Sequence, residues 1–280
     1  MSEQARDSPQ LEGPEKAQAE RSAPLRPLVI HEIVRAEGEA ELRRPASALF
    51  WSGLAAGLSM GFSFVAQALL QADLPDGPGR HAIASAGYMV GFVIVVLGRQ
   101  QLFTESTLTA VLPALHDRKA GTLAATGRLW TIVLLANLLG TWIFAAVLAL
   151  GHPLPPDAAP ALAQLASEAV AHPFWNTLLR AILAGWLIAL MVWLLPSAGT
   201  ARILVIGLLT WLVGFARLSH IVAGSAEAAY GVITGGADIA DYLLKFLAPT
   251  LIGNIIGGVA LVAILNHAPV LADAQSDEGR

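Results

Sequence analysis

Cysteine is absent from all 280 residues, so no disulfide, thiolate nucleophile or cysteine metal site can form. Charge is nearly as scarce. Only 14% of the residues are Asp, Glu, Lys or Arg, where a soluble domain carries roughly 25%. The shortfall is uneven: residues 1–45 hold 16 of the 38 charged side chains, which leaves 22 for the other 235 residues. The chain also lacks a basic block, which speaks against a nucleic-acid binder. Its net charge of −4 is too small to name a partner. No short apolar segment with a cleavage site marks the polar N-terminal stretch as a signal peptide. What is there is apolar. Hydrophobic residues make up 55% of the chain, and the mean hydropathy is +0.60. This pattern excludes an ordinary water-soluble enzyme and predicts an all-α polytopic membrane protein.

Residues 1–27 read as a disordered cytoplasmic tail, rich in charge and proline. Residues 28–45 carry Ile30, Ile33 and Val34 at helical spacing and read as an amphipathic cytoplasmic helix at the interface. Residues 46–267 form the transmembrane domain, and 268–280 a second cytoplasmic tail. Spans of about 20 apolar residues are expected at 46–71, 83–115, 123–150, 174–195, 201–233 and 243–265. Arg118, Lys119, Arg128 and Arg202 fall on the side of the termini. The segment 151–173 on the other side has no Lys or Arg, and is expected to hold a short external helix. The positive-inside rule therefore places both termini in the cytoplasm. Gly53, Gly57 and Gly61 make a small-residue stripe in the first span, as do Gly253, Gly257 and Gly258 in the sixth, and such stripes let helices approach closely.

The second and fifth spans are interrupted by polar runs, RQQLFTEST and RLSHIVAGSAEAAYG. Each lies in the middle span of a three-span half, and halves with an odd number of spans are inverted relative to each other. Interrupted helices at matching places in inverted repeats point to a transport site near the bilayer midplane. Half-helix N-termini there offer free N–H groups and a positive dipole end to an anion. Ionisable residues within spans are costly and mark function by default. Here they are Arg99 and Glu105, then Arg217, His220 and Glu227, with Arg180 in the fourth span.

The run Gln101–Thr107 (QLFTEST) resembles the helix 2 loop of the formate/nitrite transporter family. Phe215–Ala226 (FARLSHIVAGSA) resembles that family's helix 5 interruption, with His220 at its centre. Ile182–Trp186 and Gly253–Gly258 resemble its helix 4 and helix 6 signatures. The likeness covers residues 30–267 and is strongest to one of the less studied branches. It implies an aquaporin-like protomer of six helices in two inverted repeats, with helices 2 and 5 broken, and a homopentamer with one pore per protomer in the bacterial inner membrane. It implies a small monovalent weak-acid anion as substrate. By the same likeness, Leu102 and Phe103 form the cytoplasmic-side constriction, Thr104 offers a hydroxyl to the vestibule, and Val213 stands where a phenylalanine gate is usual. The family's external lysine is matched by Ala169, beside Glu168. Gly185, Gly224 and Ser219 replace polar or acidic residues, which predicts a roomier vestibule. Arg217 and Glu227 are additions. A histidine with a pKa near ~6.5 suits a proton-linked passage, in which the acid crosses the apolar constriction neutral.

Other readings stand beside these. His220 can be a buried histidine bonded to a backbone carbonyl. Arg217 can simply neutralise Glu227 or Glu105, Arg180 can snorkel to the external interface, and Arg99 can complement a half-helix C-terminus. Thr104 and Ser106 can cap the second half of helix 2. Trp51, Trp175 and Trp211 suit interface anchoring or packing. No Asn-Pro-Ala box supports an aquaporin. Ser225 near His220 has no partner that would make it a nucleophile. No catalytic residue, metal site or cofactor is expected, and the bilayer is the expected surrounding. The remaining alternative is a different or larger solute passing a widened vestibule without proton coupling.

Overall fold

The computed structural model describes residues 12–14 and 25–263. The expected tail over residues 268–280, and most of that over 1–27, lies outside them. The described chain is helical. Helix α1, Pro27–Leu42, opens with a proline at its first turn, where the missing N–H costs nothing. It turns Ile30, Val34 and Gly38 inward. A Cβ on Gly38 would lie 1.9 Å from the Thr109 carbonyl oxygen, so only glycine lets α1 dock this closely. Leu28, Val29 and Ile33 face outward.

Among the described residues, five helices are long and apolar enough to cross a membrane: α2 (Ala46–Asp73), α3 (Arg80–Leu97), α6 (Ala120–Gly151), α8 (Phe174–Leu194, extended by a turn to Ser197) and α11 (Ile239–Val259). The second expected span is thus not one helix. After α3 ends, helix resumes as α4 (Phe103–Thr109) and α5 (Val111–Asp117). The fifth expected span likewise divides into α9 (Arg202–Phe215) and α10 (Ala223–Ile233), each shorter than a span. The expected short helix of the 151–173 segment is α7, Ala159–Ala169. In α11 the stretch Tyr242–Leu247 is wound as a π-helix. Pro249 follows it, and a ring without an N–H inside a helix displaces the regular bonds before it.

Two close helix pairs set the scaffold. A Cβ on Gly57 of α2 would lie 2.1 Å from the Asn137 carbonyl of α6. One on Gly257, near the end of α11, would lie 2.1 Å from the Ile182 carbonyl of α8. The glycine stripes are where backbones meet. Outside, leucines such as Leu150 and Leu204, 75% and 74% exposed, give the molecule an apolar surface, one that asks for apolar surroundings.

Candidate functional site

The two interruptions are built alike. At the end of α3 the Gly98, Arg99 and Gln100 N–H groups donate to the Ile94, Val96 and Val95 carbonyls, at 2.8, 3.2 and 3.0 Å. At the end of α9 Ala216, Arg217 and Leu218 donate to Leu212, Gly214 and Val213, at 2.9, 3.1 and 2.9 Å. Each helix closes on an arginine in the left-handed region, Arg99 at φ 50° and Arg217 at φ 51°. Glycine is usual there, and a side chain costs about 1–2 kcal/mol.

An asparagine from a neighbouring helix then fixes each returning strand of backbone. Asn137 of α6 accepts the Phe103 N–H at 2.9 Å through Oδ1, and donates through Nδ2 to the Gly53 and Gln101 carbonyls at 2.7 and 3.0 Å. Asn254 of α11 accepts the Ile221 N–H at 2.8 Å, and donates to the Ala181 and Ser219 carbonyls at 2.8 and 2.9 Å. Both side chains are fully buried. Phe103 begins α4 and Ile221 lies just before α10, so each asparagine satisfies a donor that a helix start leaves free. The expected caps do other work. Thr104 contacts His220, and the Ser106 hydroxyl donates to the Leu102 carbonyl at 3.2 Å. Asn137 is a residue that sequence reasoning misses, because an amide carries no charge. Its signal is a lone polar side chain in the apolar run VLLANLLG.

The candidate residues separate into two cavities. One, of about 420 Å³, is lined by Arg99, Glu105, Gln100 and Gln101 together with Glu37 and Glu41 of α1. The other, of about 250 Å³, is lined by Val213, Arg217, His220 and Glu227, with Glu168, His172 and Arg180. Leu102 and Phe103 line neither. Both are buried, and the Phe103 ring stands edge-on to Trp130 at 5.9 Å. They lie in the chain between Gln101, on the first cavity, and Thr104, which touches His220 of the second. Thus the polar groups do not converge on one midplane cluster. The Thr104–His220 contact joins α4 to the α9–α10 gap beside the second cavity.

His220 is fully buried, its ring edge-on to Phe92 at 5.0 Å. Its Nδ1 accepts the Ala223 N–H at 3.2 Å. That bond needs a free lone pair, so Nε2 carries the proton of a neutral ring and donates to Thr104 Oγ1 at 2.7 Å. Among the described residues, no backbone carbonyl holds the ring. Ser225 meets the Tyr242 hydroxyl at 3.3 Å instead.

One expected pairing and the expected spare room are corrected. Arg217 pairs neither with Glu227 nor with Glu105; its Nη1 lies 3.1 Å from Glu168 of α7. Arg180 reaches the 151–173 segment that precedes α8. It donates to His172 Nε2 at 2.6 Å and to the Arg217 carbonyl at 3.3 Å. Arg99 reaches Glu37 of α1 at 3.3 Å. Gly185 and Gly224 add no room. A Cβ on the first would lie 2.5 Å from the Asn254 carbonyl, and one on the second 2.7 Å from the Phe246 ring, so neighbours fill the space that smaller residues leave. Glu105 Oε1 is buried with no hydrogen-bond partner among the described residues.

Outside the spans, burial raises the Glu41 carboxyl above its ordinary 4.5, against the lowering effect of the Thr109 hydroxyl that donates to it at 2.6 Å. Burial, and then the Arg180 charge, lower His172 below 6.5. It stays neutral and accepts the arginine's hydrogen bond.

Residues 28–268 match the family model described as formate/nitrite transporter. The chain belongs to the formate/nitrite transporter family. It is 42% identical over 250 residues to the inner membrane protein YfdC of Escherichia coli (strain K12), covering 89% of this chain and 81% of that protein. It is 26% identical to the formate channel FocA of Haemophilus influenzae, across 78% of this chain and 85% of the relative. A solved structure of a pentameric formate channel with formate bound, 21% identical, aligns with a TM-score of 0.71 over 81% of this chain and 98% of its own. The fold is the one known for this family of membrane transporters.

Proposed function

We propose that the chain is the protomer of a homopentameric channel that passes a small monovalent weak-acid anion across the bacterial inner membrane, linked to a proton through His220. In this reading, six spans form two inverted three-helix repeats, with both termini cytoplasmic. The gaps after Leu97 and Phe215 are then the broken helices 2 and 5. The paired Arg99/Arg217 turns and Asn137/Asn254 bonds support it, since they repeat one local design in each half. The name of the FocA relative and the likeness to a formate-bound pentamer support the substrate class and assembly. The family and its channel relatives support a transporter rather than an enzyme.

The observation that carries the mechanism is the neutral imidazole bonded to Thr104 at the wall of the second cavity. A bare anion crossing the apolar layer of Leu102 and Phe103 faces a desolvation penalty of several kcal/mol or more. Holding a proton on an acid about two pH units above its pKa costs only ~2.7 kcal/mol. The neutral acid therefore crosses more easily. Arg217 and Arg180 at the outer cavity draw the anion in. His220 and Thr104 hold it by hydrogen bonds while it takes a proton from the acidic outer solution, Val213 narrows the approach, and Arg99 and Glu105 line the exit. In proteoliposomes, formate or acetate is expected to enter faster at acidic external pH. His220→Phe is expected to abolish or alter that response, and an unchanged flux and pH profile would refute the role of His220.

A further inference from the structure

Resting on the anion-channel reading, we infer that Glu227 is a hydrogen-bond donor to the anion in the outer cavity, in its acid form, and that its ionisation closes that cavity to anions. His220, Gly224 and Glu227 line this cavity on successive turns of one chain segment. At 1.5 Å per residue, Glu227 stands about 6 Å beyond the start of α10. No hydrogen bond or ion pair reaches its carboxyl from any described residue. The nearby arginines are engaged elsewhere: Arg217 with Glu168, and Arg180 with His172 and the Arg217 carbonyl. A carboxylate without a counter-ion in an anion's path repels it. The same group as an acid offers one O–H and no charge, and a carboxylic acid kept neutral in an apolar site serves as a donor.

The groups that face Glu227 leave it this role. From α7 comes Glu168, whose like charge acts on it. From α3 comes Tyr88, and from the α9–α10 gap come Arg217 and His220. Past α7 stands His172, and from α8 comes Arg180. Helix α2 contributes the uncharged Gln67. From α11, Tyr242 is bonded to Trp142 and Ser225.

The test is the flux of formate and of acetate into proteoliposomes against external pH, with the pentamer checked by size-exclusion chromatography. The neutral fraction of a carboxyl falls about tenfold per pH unit above its titration. The Glu227→Gln variant keeps an N–H donor and cannot ionise, so its slope of log flux against pH is expected to lose about one unit on the alkaline limb. Glu227→Asp is expected to retain the wild-type slope. Glu227→Leu, without a donor, is expected to conduct several-fold less than Glu227→Gln at acidic pH. A wild-type slope in Glu227→Gln, or equal acid-side flux in the Leu and Gln variants, overturns the inference and leaves the channel reading standing. Absence of wild-type flux for both acids at every pH overturns both.

Discussion

Replacing Asn254 by leucine isolates the bonds that hold the α9–α10 gap. The two side chains are close in size, so the change is chiefly the loss of one acceptor and two donors. Two backbone groups lose their partner, the buried Ile221 N–H and the half-buried Ser219 carbonyl, while the Ala181 carbonyl keeps its place within helix α8. An unsatisfied buried group costs about 1–3 kcal/mol, and no water in a bilayer core relieves it. Relaxation of the gap recovers part of this, so about 2–5 kcal/mol is expected in total. At about 2–4 °C per kcal/mol for a chain of this size, the melting temperature in detergent should fall by roughly 4–20 °C. Flux should fall too, because Ser219 and Ile221 flank His220. Asn137→Leu should do the same from the other half. A variant that melts within about 2 °C of wild type and retains its flux would refute the view that these amides hold the gaps in shape.

Other outcomes follow from single contacts. The folded state favours the protonated form of Glu41, since its carboxyl is raised above 4.5. The stability tied to that proton is present at low pH and lost as pH rises through the folded value. Glu41→Gln should therefore raise the melting temperature at neutral pH and lose its advantage in acid, and a pH-independent gain would argue against burial as the cause. Gly57→Ala puts a methyl 2.1 Å from the Asn137 carbonyl, and overpacking of this kind costs about 1–3 kcal/mol by thermal unfolding. Thr104→Val keeps the volume but removes the acceptor for His220 Nε2. It should change the pH dependence of flux more than the yield of folded pentamer, and an unaltered profile would show that the bond to Thr104 is dispensable.

The spans are legible because a hydrophobic run long enough to cross a bilayer is a property of the chain alone. The gaps are legible because RQQLFTEST and RLSHIVAGSAEAAYG interrupt such runs. What they touch is not. Arg217 finds Glu168 on α7, a helix remote in sequence whose packing no periodicity encodes. Gly185 promises open space, since a missing side chain looks like a void in one dimension. In three dimensions α11 moves in, and the Asn254 backbone occupies it. Asn137 stays hidden because charge is the marker of importance inside spans, and an amide with three bonds carries none.

Leu102 and His220 occupy equivalent places in the two halves. The carbonyl of each takes the N–H four residues on, from Ser106 at 3.1 Å and from Gly224 at 2.9 Å. In the proposed channel, the backbone would thus treat both directions of travel nearly alike, and Leu102 and His220 would set the two faces apart: grease on one, an imidazole on the other. Direction in such a protein is a late and separable decision. A few substitutions on a common frame could turn the chemistry around without refolding the chain.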